Sequence, residues 1–251
     1  SQMEYYLKAF KGAITSNTYY ELGSGLEVKK EFSYLEVAPG QGIYTWTDYN
    51  SNNVKELNEF EIAAFQDQAS YIRVYTPTSD YVKTFTNMFS QVLNINPAVK
   101  WSSKKGLKKF IARLSDMATY RIDHKNNSDD GLVAYNPFTS KISDTALISV
   151  NSSFRNVFYF NKSSSKFGFD VNFQDGRNKS LMVNGFDSRT TRSKGINIKW
   201  NISRKFSLTS KYNMGYKTSA SQYFNNRDYR IFYNETEPIF SYQPTQSFRI
   251  N

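Results

Sequence analysis

Cysteine is absent from this 251-residue chain, and histidine occurs once, at His124. The first absence removes disulfide frameworks, thiolate zinc sites and cysteine nucleophiles together. The second removes every metal site that needs two imidazoles. Histidine catalysis would have to run through His124 alone. That residue stands beside Asp123, at the end of an alternating run and before Lys125-Asn126-Asn127, which is the place of a solvated strand-end side chain. No stretch approaches the roughly 18 consecutive apolar residues of a membrane-spanning helix. Gly23-Ser24-Gly25 lacks the strand-turn-helix setting of a phosphate loop or nucleophile elbow. The Asn-x-Ser/Thr triplets, such as Asn151-Ser152-Ser153, follow from a chain rich in those residues. Only carboxylate chemistry remains available to an enzyme, and no pair of carboxylates stands out. An enzyme is therefore the poorest of the readings.

Aromatic residues are plentiful, with 20 Phe, 19 Tyr and 3 Trp, spaced by Ser, Thr and Asn, a mixture that favours strands. Alternation is the dominant pattern. Phe167, Phe169, Val171 and Phe173 alternate with Gly168, Asp170, Asn172 and Gln174. Ile196, Ile198, Trp200 and Ile202 alternate with Asn197, Lys199, Asn201 and Ser203, and Leu208, Tyr212, Met214 and Tyr216 oppose Lys211, Asn213 and Lys217. A run from Phe110 through Leu114 and Tyr120 to Ile122 behaves likewise, as does one carrying Val150, Phe154, Phe158 and Phe160. A period of two means strands with two unlike faces. Tight turns are expected at 175–178, 203–205 and 235–237, all at one end, with longer connections at 188–194 and 217–227. Short and long connections alternating between ends describe an up-and-down meander of the kind that builds outer-membrane barrels.

The first part of the chain reads differently. Phe32–Val37 and Ile43–Tyr49 flank Pro39-Gly40-Gln41-Gly42 as a hairpin, and residues 59–65 carry the best short helix. The charge divides too. Residues 1–100 hold 8 basic and 11 acidic side chains, a net of −3; residues 101–251 hold 24 and 11, a net of +13. Two regions are expected, 1–78 and 79–251. The chain opens on Ser1-Gln2-Met3-Glu4, without a secretory signal, and closes on Phe248-Arg249-Ile250-Asn251 within an alternating pattern, as a piece of a longer polypeptide would.

One motif carries chemistry. Calcium loops of the EF-hand type take oxygen ligands at positions 1, 3, 5, 7, 9 and 12, the seventh through its carbonyl and the last bidentate. Here those places hold Asp48, Asn50, Asn52, Val54, Glu56 and Glu59. Position 6, normally Gly, is Asn53, the side chain next most tolerant of a left-handed backbone. Three carboxylates and three neutral oxygens suit Ca2+ at a dissociation constant on the order of 10⁻⁴–10⁻³ M, as a structural ion. The competing reading is a loop whose Asn and Asp side chains bond their own backbone. Basic residues interleaved with aromatics can also hold nucleic acid, but here they are spread over many strands, and no nucleic-acid partner is expected.

The stretch Glu36-Val37-Ala38-Pro39-Gly40-Gln41-Gly42-Ile43-Tyr44-Thr45-Trp46-Thr47-Asp48-Tyr49-Asn50, running on through Leu57-Asn58-Glu59-Phe60-Glu61-Ile62-Ala63 and Tyr71-Ile72-Arg73-Val74, resembles a segment of very large surface proteins of Bacteroidetes-type Gram-negative bacteria. Asn151–Asn156 and Asn184–Arg189 are similar to the same group. The resemblance implies an outer-membrane β-barrel region, with outer-membrane lipid and other envelope proteins as partners, and transfers no catalytic residues. The expectation is thus an all-β antiparallel meander, a partial outer-membrane barrel with a small calcium-loop subdomain. The alternative is a soluble, calcium-stabilised β-sandwich or adhesin that binds glycan or protein.

Overall fold

The computed structural model describes residues 1–128, 130–138, 147–182, 185–222, 227–245 and 248–250. They form one antiparallel sheet. Its strands are β1 (Gln2–Ala9), β2 (Ile14–Glu36), β3 (Tyr44–Trp46), β4 (Phe60–Ile62), β5 (Tyr71–Ile95), β6 (Leu114–Asn126), β7 (Leu147–Phe160), β8 (Phe167–Met182), β9 (Gly185–Asn201), β10 (Phe206–Ser221), β11 (Tyr229–Thr245) and β12 (Phe248–Ile250). The path runs β1-β2-β5-β6-β7-β8-β9-β10-β11-β12, with β3 and β4 attached at the far end of β5. Among the described residues β1 and β12 do not pair with each other, so the sheet is open.

Strand register separates the faces as the alternation requires. Phe160, Phe169 and Ile198 lie in one row on one face, while Tyr159, Asp170 and Asn197 lie in a row on the other. The apolar face is uncovered over much of β7–β11: Val171 and Trp200 are each 42% exposed and Phe240 is 53% exposed. The polar face carries an open pocket of about 360 Å³ across β2 and β5–β8, lined by Glu21, Thr86, Met88, Asp123, Ser149 and Asn178.

The strands are longer than the sequence suggested. The expected tight turn at 175–178 lies inside β8, the expected one at 235–237 inside β11, and the expected connection at 188–194 inside β9. Charge pairing across strands explains how turn-type residues come to be extended. Asp175 stands opposite Arg192 and accepts from its Nε at 2.9 Å, and it also accepts from Arg177 Nε at 3.0 Å. Glu237 stands opposite Lys211, whose Nζ reaches it at 3.1 Å. Opposite charges in register contribute roughly 0.2–1 kcal/mol per pair. Of the three expected tight turns only 203–205 is a connection, between β9 and β10, and a connection also falls at 162–166 as the sequence suggested, between β7 and β8. Of the expected connection at 217–227, residues up to Ser221 belong to β10, and 223–226 lie outside the described residues.

Two further expectations change. The run beginning at Phe110 starts instead at Leu114, because helix α2 (Leu107–Ile111) follows α1 (Ala98–Trp101) in the β5–β6 connection. His124 is buried at 5% exposure rather than solvated. It pairs in register with Asn87, whose Nδ2 donates to the Ala134 carbonyl at 2.9 Å, so the segment holding α3 (Gly131–Tyr135) folds over this part of the sheet.

Beyond Leu22 and Phe85, β2 and β5 pair with each other and, apart from the Tyr71–Tyr44 pairing with β3 at the tip, with no other strand among the described residues, because the pairing of β1 with β2 ends at Glu21 and that of β6 with β5 begins at Phe85. The two strands, of 23 and 25 residues, thus rise from the sheet as an arm. At about 3.4 Å per residue, β5 extends roughly 80 Å. The 78/79 division expected from composition falls inside this continuous strand.

Candidate calcium loop on a capped arm

Residues 37–70 close the arm. The expected hairpin of 32–37 with 43–49 does not form: β5 lies between them, with Tyr71 opposite both Glu36 and Tyr44. The expected helix at 59–65 is a 3₁₀ turn at Leu57–Glu59 followed by β4, which pairs with β3. Aromatic packing overrides the helical spacing. Phe60 stacks on Tyr34 with centroids 3.9 Å apart and meets Tyr71 edge-on at 5.0 Å, while Ile62 and Phe65 point outward. Tyr34 also meets Tyr44 edge-on at 5.0 Å. Each such ring pair adds about 0.5–1.5 kcal/mol beyond area burial.

Gly42 is where the cap closes most tightly. Its N–H donates to the Ala69 carbonyl at 2.8 Å, and a Cβ built there would stand 2.5 Å from Tyr71 N and 2.7 Å from the Ala69 and Tyr71 oxygens. All three are backbone atoms, so Gly42→Ala is expected to cost about 1–3 kcal/mol. Thermal loss of Trp46 emission, read with Trp101 and Trp200 replaced by Phe, checks this. An unchanged midpoint would show that the cap has room to spare.

The 48–59 loop hangs between β3 and β4. Ser51 (φ 58°) and Asn53 (φ 57°) take left-handed conformations, the second as expected of the residue in the glycine position. These two kinks turn successive N–H groups inward. Asn52 N donates to Asp48 Oδ1 at 3.2 Å and to Asn50 Oδ1 at 3.0 Å. Asn53 N donates to Asp48 Oδ2 at 2.9 Å, and Val54 N to Asn52 Oδ1 at 2.6 Å. The amides of Asn50 and Asn52 donate to Glu56 Oε2 and Oε1 at 3.1 and 3.4 Å. The structure thus ties Asp48, Asn50, Asn52 and Glu56 into one network around a coiled loop.

Glu59 closes the loop from below at 1% exposure. Its Oε2 accepts from Trp46 Nε1 at 2.9 Å and from Glu56 N at 3.3 Å, so the carboxylate is turned back into the loop. Its Oε1 is buried without a hydrogen-bond partner. A bidentate role treats the two oxygens alike; here they differ, one engaged twice and one free. Trp46 was missed from sequence, although its position two residues before Asp48 puts it on the strand that feeds the loop. Among the described residues no three Asp, Glu or His side chains gather as a metal-binding group, and the loop draws half its oxygens from Asn50, Asn52 and the Val54 carbonyl.

Lys55 fastens the loop to the arm. Its Nζ pairs with Glu36 at 2.7 Å and lies 4.9 Å from the Tyr71 ring centroid. The Lys55 hydrogen bond, with one from Tyr71, holds the Glu36 carboxyl below the usual carboxylate range.

No protein-family model, curated protein or solved structure matches the chain. The functional reading is therefore built on the geometry of the loop and of the two faces.

Proposed function

We propose that this chain is a section of the wall of an outer-membrane β-barrel in a Gram-negative bacterium, with a structural, transport or assembly role, and that its capped arm holds a calcium ion. What supports the wall reading most is how the apolar residues cross the strands. Met3, Tyr20, Phe89 and Ile122 share one register row, yet the same row continues as Ser152, Arg177, Thr190, Thr218 and Arg230. On β9 the apolar run stops at Ile196, six residues short of Thr190, the row partner of Ile122, and three strand steps away from it. The apolar zone therefore runs obliquely to the strands.

A bilayer imposes this slant. In a barrel whose strands tilt about 40° and lie about 4.8 Å apart, a band level with the membrane shifts about 4 Å, a little over one residue, per strand. The observed shift, six residues over three strand steps or two per strand, is within a factor of two of that. A sandwich gives a different pattern, since its apolar face is covered by a second sheet about 10 Å away. The cover described on this face lies at the margins of the zone: Tyr135 and Phe138 of the 130–138 segment meet Phe85 and Phe89, and Phe110 of α2 meets Phe160.

Expression of the full chain with a secretion signal, followed by fractionation, tests the reading. The chain should stay with membranes through an alkaline carbonate wash and leave them only in detergent. A monodisperse, detergent-free monomer in the wash would favour the soluble adhesin.

A further inference from the structure

At the end of the sheet opposite the arm, four connections among the described residues meet the rim: 10–13, 96–113, 161–166 and 202–205. They carry one, six, two and two basic side chains respectively, and no Asp or Glu. All of these cations are exposed. The basic residues that looked dispersed along the sequence are in part gathered by the fold into one cationic ring. The acidic calcium loop sits at the opposite end, on the tip of the arm.

The longest rim connection adds apolar groups to the charge. Leu107 and Phe110 of α2 are exposed among Lys104, Lys105, Lys108 and Lys109, and Val99 is exposed beside Lys100. Trp101 borders a small apolar cavity with Phe10, Ile14, Ile95 and Pro97, and Ile14 and Ile95 are the lowest pair of the apolar face on β2 and β5. The rim is thus continuous with the zone proposed to meet lipid. An aromatic side chain at the border, exposed leucine and phenylalanine beyond it, and lysines outermost reproduce the depth order of a bilayer interface.

We infer that this rim docks on the anionic phospholipid headgroups of the leaflet at its end of the barrel, with the 96–113 connection lying in the headgroup layer and Trp101 at its inner edge. The inference rests on the barrel reading. Charge complementarity chooses the occupant: eleven cations without a counter-charge in their own connections attract a surface of phosphates, each gaining as it approaches within a Debye length. Neutral headgroups offer no such gain.

The test uses the full chain reconstituted in vesicles of phosphatidylcholine with phosphatidylglycerol, with one lipid or the other brominated to quench tryptophan. Two backgrounds leave Trp101 alone (Trp46→Phe, Trp200→Phe) or Trp200 alone (Trp46→Phe, Trp101→Phe). Trp101 should be quenched about threefold more by brominated phosphatidylglycerol than by brominated phosphatidylcholine at about 0.05 M salt, and equally by both at about 0.5 M. Lys104→Glu, Lys105→Glu, Lys108→Glu and Lys109→Glu together should abolish the preference. Trp200, on the lipid-facing side of β9, should be quenched by the brominated lipids in every variant, which reports that the fourfold variant still inserts. Trp200 quenched but Trp101 without preference would overturn the rim proposal and leave the barrel standing. Trp200 quenched by neither lipid would overturn both.

Discussion

Placing an arginine at Ile198 should cost about 2–4 kcal/mol of stability in a bilayer, the penalty for a cation on the lipid face near the midplane of a barrel wall. Ile198 stands in register between Phe169 and Ser210, in a row that continues to Phe160, so the Ser210 hydroxyl is the one polar group beside it in that row and offers a guanidinium no counter-charge. Its neighbour Lys199 points the other way, and Lys199→Ser should change stability by no more than about 0.5 kcal/mol. The pair differs by one residue in sequence and by the whole thickness of the sheet in environment. Urea titration of the chain refolded into phosphatidylcholine vesicles reads both. Equal costs at the two positions would mean that the apolar face meets protein or water, and the wall reading would fail.

The second expectation is a reversal of sign at Glu59. Without metal, the wild-type loop buries a carboxylate oxygen that has no partner, and an unpaired buried polar atom costs about 1–3 kcal/mol. Glu59→Gln keeps the volume and the acceptor for Trp46 while removing the charge. In calcium-free buffer the variant should be as stable as wild type or more so. With calcium the order should invert, because an ion bound only by the folded loop stabilises by about 1.4 kcal/mol at ten times its dissociation constant and about 2.7 kcal/mol at a hundred times. Affinity should fall about tenfold or more in Glu59→Gln and in Asp48→Asn, and by less than about twofold in Lys55→Ala, whose ammonium faces Glu36. Calorimetric titration and thermal unfolding of the full chain measure both effects. No heat and no shift in wild type at about 10 mM calcium would leave these oxygens as backbone partners only.

The meander was legible in the sequence where one strand carries two unlike faces. Phe167 to Phe173 alternate with Gly168, Asp170 and Asn172, and the register carries the two sets into unlike rows on opposite faces of the sheet. The arm was less legible. Leu26, Val28 and Phe32 of β2 alternate with Glu27, Lys29 and Glu31, but Lys30 interrupts the apolar set and most of these side chains are exposed, so the run is too short to announce a strand of this length. Turn signals misled where side chains far away in sequence settled the backbone. Asp175-Gly176-Arg177 would turn in isolation, but Arg192 on the next strand holds it extended. At the 48–59 loop, the spacing picked out Asp48, Asn50, Asn52 and Glu56, which the structure joins in one hydrogen-bond network, because Asn and Asp at those places also bond their own backbone. It could not name Trp46, since nothing in that spacing specifies what grips the last carboxylate from outside.

The cap also has a topological consequence. The chain leaves the arm at Glu36 and returns at Tyr71, and these two residues are register partners on adjacent strands. Partners across an antiparallel ladder lie only about 4.5–5.5 Å apart, a gap that a two-residue hairpin can bridge. Everything from 37 to 70 is therefore an excursion that begins and ends at one point of the ladder. Apart from the pairings of β3 and β4, which belong to it, it can be lengthened, exchanged or deleted without altering the ladder of the other strands below it, which makes the tip of this arm a natural graft point where one sheet presents different heads.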